Sequence, residues 1–276
     1  MLPIHTIFVR HGKSEGNEAG ERARPPLSDE SAYTREFIDR HSAYWRLTDQ
    51  GIREAKNAGH WLKDWLHERK EHLFQGHFVT SHLRGLETAG HLDLPYAKWK
   101  IQPLLRERDW GHLDTMPPSR RAEVFPYDVM GQKSSAPLNW TPPNGEDLLT
   151  KSLFVDRVLQ TLHREYSDAD DVVIVCHGET MLAADMLLRR LSFEDLRRIT
   201  RSRDPRDKIH NCQIIVYSRR DPDTGVLYSS PRWRLSVCPW DTTRSNDVWE
   251  PIVRKTYSND DLLSLVGKYP RLVNDK

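Results

Sequence analysis

The chain has 276 residues, of which 29% are charged, and its formal net charge is +1. This length suffices for a substantial buried core, and the near-neutral charge excludes a global field that would attract nucleic acid. We expect no membrane partner, because no apolar run reaches the length of a membrane span. The sequence also shows no leading apolar segment of the signal-peptide type, which favours a cytoplasmic location.

Cysteines occur at three widely separated positions, Cys176, Cys212 and Cys238. An odd count without a Cys-x-x-Cys pair argues against a disulfide framework and against a zinc site. We therefore expect all three cysteines to be small buried side chains of the core. Cys176 is expected to point away from the candidate site at His177, because successive strand residues face opposite sides.

The first predicted element is a buried strand from Ile4 to Val9, an apolar and largely β-branched run. It leads directly into Arg10-His11-Gly12, and the polar segment behind these residues cannot continue a strand. A cation and an imidazole are thus delivered to one end of a strand. Ligands of open α/β sheets bind outside the carboxyl ends of the strands, so we expect a site at this point.

Residues 18–46 form a polar, charged connection that exceeds the length of an ordinary loop. Aromatic residues between Tyr33 and Trp45 predict a helical piece that packs. We interpret 18–46 as an insert that caps the site. A strong amphipathic helix is predicted to follow it, with Thr48 as its capping residue.

A short strand is predicted at Phe78–Ser81, and a helix is predicted to begin at His82. Arg84 falls in the first turns of that helix, where backbone amides already favour an anion. His82 has two interpretations, a residue that lines the pocket beside Arg84 or an ordinary exposed histidine, and we favour the second. Glu107 lies farther along, in a short segment with an aromatic residue and a glycine, and is the candidate proton donor.

Residues 115–143 are rich in proline and predict a second cap segment, dominated by loops. A helix is predicted from Leu148 to Tyr166. The next strand, Val172–Cys176, ends in His177-Gly178, as the first strand ends in His11-Gly12. Two buried strands with this ending place two imidazoles at the same edge of one sheet.

The remaining segments are an edge and a tail. Arg197–Lys208 mixes charges of both signs, which is typical of solvated surface. A strand is predicted at Asn211–Tyr217, and a hairpin of Val226–Tyr228 with Trp233–Val237 is predicted on the sheet edge. We treat residues 219–276 as a C-terminal extension with one short helix. The prediction is a single α/β domain over residues 1–276, a three-layer α/β/α fold with a mainly parallel sheet and an antiparallel edge.

Five chemically useful groups recur at the predicted strand ends. They are Arg10, His11, Arg84, Glu107 and His177. Two guanidinium groups match phosphate oxygens bidentately. One imidazole can attack phosphorus while the other donates to its oxygens, and a carboxylic acid can protonate the leaving oxygen. This chemistry requires no metal, and the sequence contains no P-loop, dinucleotide or two-metal motif, so we expect no metal and no cofactor.

The motifs, in this order, resemble those of the histidine phosphatase superfamily, the phosphoglycerate mutase-like fold. The similarity spans roughly Thr6 to Leu191 and includes Arg-His-Gly, Leu-Thr-x-x-Gly, Ser-x-x-Arg, Glu-Arg-x-x-Gly and the second His-Gly. It implies a phosphohistidine on His11 and an acid/base role for Glu107. The implied phosphate ligands are Arg10, Asn17, Arg84, His177 and Gly178.

Our first hypothesis is a phosphatase that hydrolyses a phosphorylated small molecule. The first alternative is mutase-type phosphoryl transfer, for which Arg120 and Arg121 are the only paired cations available in the cap segment. The second alternative is a non-catalytic module that recognises phosphate. The sequence leaves the substrate and the oligomeric state open.

Overall fold

The computed structural model describes residues 1–71, 73–134, 140–167, 169 and 171–273. Residues 135–139 of the predicted second cap lie outside the described residues, as do residues 274–276 of the C-terminal extension.

Seven strands form one mixed sheet, with the spatial order β3-β2-β4-β1-β5-β6-β7. Strands β1 to β4 pair in parallel, and β5, β6 and β7 add an antiparallel edge next to β1. The prediction of a mainly parallel sheet with an antiparallel edge is confirmed. The strands are β1 (His5–Arg10), β2 (Gly76–Val79), β3 (Lys100–Ile101), β4 (Asp171–Cys176), β5 (Ile214–Ser218), β6 (Trp233–Val237) and β7 (Glu250–Pro251).

Helices cover both faces of the sheet. They are α1 (Glu15–Arg22), α2 (Arg35–Asp39), α3 (Asp49–Glu68), α4 (Leu83–Leu92), α5 (Pro118–Val124), α6 (Pro126–Ser134), α7 (Leu148–Glu165), α8 (Gly178–Arg189), α9 (Phe193–Arg201) and α10 (Asn259–Gly267). Short 3₁₀ turns lie at Ser42–Tyr44, Pro103–Leu105, Gly111–Leu113, Pro205–Asp207 and Thr242–Arg244. Across the described ranges, none of these helices combines the length and apolar character that a membrane crossing requires.

The alternation of side chains along β1 divides the core into two layers. Ile7 and Val9 pack toward α3 and α4, whereas Phe8 packs toward α7 and α8. Strand β4 is buried on both faces, which explains its uninterrupted apolar run. Cys176 lies in the α7/α8 layer, and all three cysteines are buried, as predicted, and free.

The helix predicted after Thr48 is confirmed. The Thr48 hydroxyl caps α3 by accepting a hydrogen bond from the Gly51 amide at 3.2 Å. Within the preceding insert, helix comprises the end of α1, the short helix α2 and the turn at Ser42–Tyr44. The aromatic residues there pack as expected, because Phe37 stacks on Trp45 with ring centroids 4.6 Å apart.

Two sequence predictions were wrong. Residues 115–143 are not dominated by loops in their described part, because α5 and α6 occupy most of it. Pro118 and Pro126 stand at the first positions of these helices, where a missing amide hydrogen has no cost. Val226–Tyr228 forms no strand either, since β6 takes the place beside β5 and only Leu227 makes an isolated bridge to Arg220.

Gly59 sets the spacing between α3 and α4. A Cβ atom at Gly59 would lie 2.2 Å from the Leu92 carbonyl oxygen, so Gly59→Ala must separate the two helices. We expect the free energy of unfolding to fall by about 1–3 kcal/mol. Chemical denaturation of purified variants measures this loss.

Gly90→Ala is the matched control, because Gly90 lies within α4, the other helix of the pair, but a Cβ there meets nothing within 4 Å. Its stability should stay unchanged or rise by up to about 1 kcal/mol. Equal stabilities of the two variants would contradict the proposed helix contact.

Candidate active site

Parallel pairing brings the ends of β1 and β4 side by side. Arg10, the last residue of β1, is in register with Cys176, the last residue of β4. The next residue of each strand is a histidine, so His11 and His177 meet with ring centroids 5.0 Å apart. Strand β2 lies on the other side of β4, and the helix after it supplies Arg84.

His11 is held in one tautomer. Its ring is 2% exposed, and Nδ1 lies 2.7 Å from the Gly12 carbonyl oxygen. Because a carbonyl can only accept, Nδ1 carries the hydrogen and Nε2 carries the lone pair. Arg84 Nε donates to His11 Nε2 at 3.2 Å. Burial, and then the charges of Arg84 and Arg10, hold the pKa of His11 well below its ordinary value.

The backbone after His11 is fixed by close contacts. The Gly12 amide donates to the Thr88 hydroxyl at 3.0 Å. A Cβ atom at Gly12 would lie 2.4 Å from the Gly51 carbonyl oxygen, so a larger residue would displace the loop from α3. These contacts place the carbonyl that selects the His11 tautomer.

Both arginines are anchored by backbone carbonyls. Arg10 Nη1 donates to the Ile209 oxygen at 2.7 Å, and Arg84 Nη1 donates to the Ser42 oxygen at 2.7 Å. Within the described chain, Arg10 Nε is buried without a hydrogen-bond partner. A buried N–H donor without a partner is available to bind an acceptor such as an anion oxygen.

His177 is fully buried. Its Nε2 lies 3.0 Å from the Thr80 hydroxyl, and burial holds its pKa well below the ordinary value. Nδ1 has no hydrogen-bond partner among the described residues and lies 3.8 Å from Glu107 Oε2. The predicted proton donor therefore stands beside the second imidazole.

Hydrogen bonds and an ion pair fix the segment that carries Glu107. The Arg108 amide donates to Glu107 Oε1 at 3.0 Å. The ammonium group of Lys151, on α7, donates to the carbonyl oxygens of Leu104 and Arg106 at 3.1 and 2.5 Å. Glu146 adds a bidentate pair with the Arg106 guanidinium at 2.8 and 2.9 Å.

Lys151 was missed by the sequence reasoning. Its side chain is completely buried, which lowers its pKa to about 8. The signal was present, since Lys151 falls on the apolar stripe of α7 between Leu148 and Val155. A lysine at such a position must find acceptors inside the fold.

His82 was predicted to be exposed, and this was wrong. The residue is 9% exposed, its ring centroid lies 4.8 Å from that of His177, and burial lowers its pKa to about 3. As the residue before the first turn of α4, it directs its ring toward the same sheet edge as Arg84. Its position between a strand end and Arg84 was the available signal.

The other two predicted ligands lie at the rim. Asn17 Oδ1 accepts from the Ser14 amide at 3.2 Å and from Asn211 Nδ2 at 3.0 Å, so it caps α1 and ties it to the strand edge. Gly178 begins α8, and a Cβ there would lie 3.3 Å from Arg10 Nε. Both residues line the mouth of the site with Arg10 and Glu107.

A cleft of about 680 Å³ continues from this mouth. It runs along α8 to the end of α9, the segment after it and the antiparallel edge. The charged stretch Arg197–Lys208, interpreted from sequence as solvated surface, contributes several of its walls. We refer to this space below as the cleft.

His11, Glu107 and His177 also form the one group in the described chain whose donor atoms could hold a metal ion, since these atoms lie within 4.8 Å of one another. Imidazole and carboxylate are zinc and iron ligands. Two fixed guanidinium groups border the same point, however, and Arg84 donates directly to His11 Nε2. The charge of the site therefore favours an anion over a divalent cation.

The arrangement can bind a phosphoryl group and attack it. Guanidinium donors adjoin the two rings, the His11 imidazole nitrogen Nε2 carries a lone pair, and a carboxyl group lies next to the second imidazole. Such groups supply the positioning and electrostatic stabilisation on which phosphoryl transfer depends.

Solved structures share this fold. "Mycobacterial hydrolase 2" aligns with a TM-score of 0.60 and 15% identity over 97% of this chain and 98% of its own. A putative alpha-ribazole-5'-P phosphatase from Escherichia coli aligns with a TM-score of 0.58 and 14% identity, over 83% of this chain and 96% of its own. Mycobacterial glucosyl-3-phosphoglycerate phosphatase in complex with VO3 aligns with a TM-score of 0.56 and 16% identity, over 78% of this chain and 90% of its own. These identities establish the fold alone.

No curated protein matches the sequence. The family model "Histidine phosphatase superfamily (branch 1)" matches residues 6–221, which include Arg10, His11, Arg84, Glu107 and His177. The chain belongs to the histidine phosphatase superfamily.

Proposed function

We propose that this protein is a phosphatase that hydrolyses a phosphomonoester through a phosphohistidine intermediate on His11. The observation that carries the proposal is the hydrogen bond from His11 Nδ1 to the Gly12 carbonyl oxygen. It leaves Nε2 as a neutral nucleophile beside Arg84, in a family whose structural neighbours include phosphatases.

In the first step the substrate phosphoryl group binds to Arg10, Arg84 and His177. His11 Nε2 attacks phosphorus and forms the P–N bond as the P–O ester bond breaks. The electron pair of that bond goes to the leaving oxygen, which takes a proton from the carboxyl group of Glu107. The alcohol then leaves through the cleft.

In the second step a water molecule enters the position of the alcohol. The carboxylate of Glu107 accepts a proton from this water, whose oxygen attacks phosphorus. The P–N bond breaks, its electron pair returns to His11 Nε2, and inorganic phosphate departs. Glu107 is protonated again and ready for the next ester.

Three finer points belong to the same proposal. The reaction is metal-independent, because the cations it needs are the guanidinium groups of Arg10 and Arg84. The substrate is a phosphorylated small molecule, since a cleft of the size of an organic ligand adjoins Arg10, Glu107 and Gly178. The location is cytoplasmic, which is in keeping with three buried free thiols.

No observation favours the mutase alternative. Of its two candidate cations, Arg120 pairs with the exposed Glu123 at 2.7 Å, and Arg121 Nε donates to the Met116 carbonyl oxygen at 2.7 Å. Neither lines the cleft. The presence of His11, Glu107 and His177 in one cluster favours a catalytic site over the non-catalytic alternative.

Hydrolysis of p-nitrophenyl phosphate in the presence of a chelator tests the proposal. His11→Ala should remove turnover. Glu107→Gln should lower kcat/KM for an alkyl phosphate by about 10²–10⁴-fold, and by less for p-nitrophenyl phosphate, because nitrophenolate leaves without a proton.

The control is Glu123→Gln, which removes an exposed carboxylate on α5 and should leave both rates unchanged. Full activity of His11→Ala would contradict the phosphohistidine. Loss of wild-type activity in chelator, with recovery on adding a divalent metal, would contradict metal independence. Binding of phosphate without any hydrolysis would favour the recognition module.

The tautomer of His11 can be observed by long-range ¹H–¹⁵N NMR. We expect a neutral ring with hydrogen on Nδ1 from neutral pH to well below about 6.5, the ordinary histidine value, because burial and two arginines lower its pKa. Since the unfolded chain binds this proton first, His11 also makes stability fall as the pH drops below about 6.5.

The His11→Gln spectrum assigns the signal, and the denatured protein supplies the reference titration. Protonation of His11 with the pKa of the denatured reference, or hydrogen on Nε2, would refute the nucleophile described above.

A further inference from the structure

The cleft is much larger than a phosphoryl group requires. Its volume of about 680 Å³ falls in the range of sites that enclose a whole organic ligand. The residues beyond Glu107 and Gly178 come from α8, from α9 and the segment after it, and from the C-terminal extension. The alcohol part of the substrate therefore meets side chains that the phosphate chemistry does not use.

Most acidic groups along the cleft are already neutralised. The Asp185 carboxylate forms ion pairs with Arg189 Nη1 at 2.7 Å and with Arg234 Nε at 3.2 Å. Glu250 pairs with Arg234 at 3.4 Å, and Glu179 pairs with Arg108 at 2.6 Å.

Besides Arg10, three basic side chains that line the cleft have no such acidic partner within the described residues. They are Arg24 from the insert, Arg198 from α9 and Lys208 from the segment after α9. We call them the cleft cations. Apart from Glu107 at the phosphate end, the exposed Asp207 is the only lining carboxylate of the described chain without a basic partner, so the cleft retains positive charge.

Lys208 and Arg24 are tied to the phosphate end of the cleft. The Lys208 ammonium donates to the Thr200 carbonyl oxygen at 2.7 Å, which fixes it to the last turn of α9 beside Arg198. The next residue, Ile209, accepts from Arg10. A second cavity of about 540 Å³ shares Arg10, Asn17, Arg24 and Lys208 with the cleft, so these two cations flank the phosphate-binding arginine.

We propose that the cleft cations bind a second anionic group of the substrate, a phosphate or a carboxylate on the alcohol that leaves. This rests on the proposed phosphatase function and narrows its substrate class to phosphomonoesters of anionic alcohols. It also gives the long insert and the stretch Arg197–Lys208 a role, because they supply the residues that recognise the leaving group.

A matched series of straight-chain phosphomonoesters tests the proposal. The esters differ in chain length and end in a hydroxyl, a carboxylate or a second phosphate. At the chain length that spans the two sites, the anionic end should raise kcat/KM about tenfold over the hydroxyl end. The better of the two anionic ends identifies the second group as phosphate or carboxylate.

The Arg24→Gln/Arg198→Gln variant should lose this preference and keep its rate with p-nitrophenyl phosphate. Both side chains are exposed, so the fold is retained. Arg197→Gln is the matched control, because Arg197 lies next to Arg198 on α9 but outside the cleft lining. It should keep the preference within about twofold.

Calorimetric titration of the His11→Ala variant with the same esters measures binding without turnover. An affinity gain of about tenfold from the anionic end, lost when Arg24 and Arg198 are also replaced, supports the proposal. It is overturned if no chain length gains from the anionic end, or if the gain survives in the double variant. Absence of wild-type hydrolysis of every ester contradicts the phosphatase function instead, and the titration still decides the second-anion site.

Discussion

The active site depends on the parallel pairing of β1 with β4. Because Arg10 and Cys176 are in register, the histidine after each strand emerges at the same level of the same edge. The two rings then lie 5.0 Å apart without help from any loop. A slip of one residue would turn the side chains of one strand to the opposite face. The buried runs on both sides of β1 and β4 make such a slip costly, so the core itself enforces the geometry of the site.

Backbone carbonyls do most of the positioning around these rings. Gly12 selects the tautomer of His11, while Ile209 and Ser42 hold the two arginines. Cations held in this way are oriented before any substrate arrives, which is the arrangement that stabilises charge in phosphoryl transfer. Lys151 does the same for Glu107 from α7, because it fixes the carbonyl oxygens of the segment that carries this residue.

The sequence predicted the fold and most of the site because its signals were local. Strands ending in Arg-His-Gly and His-Gly, and a helix beginning before Arg84, can be recognised without distant contacts. The missed features depend on tertiary packing. His82 is buried because its ring packs against that of His177. Lys151 donates to the carbonyl oxygens of Leu104 and Arg106, which lie more than forty residues away in sequence. The walls of the cleft likewise come from parts of the chain that are far apart in sequence. The prolines of residues 115–143 predicted loops, because proline usually interrupts helices. Pro118 and Pro126 are instead the first residues of α5 and α6, a position that proline tolerates.

The central claim is that His11 Nε2 accepts the phosphoryl group. Rapid acid-free quenching of the protein with a labelled phosphomonoester, followed by mass spectrometry and ³¹P NMR of the trapped protein, identifies the modified atom. We expect one phosphorylated residue, His11, with the phosphorus on Nε2, because Nδ1 donates to the Gly12 carbonyl oxygen. Phosphorus on His11 Nδ1, on His177 or on no histidine while the ester is hydrolysed would contradict it.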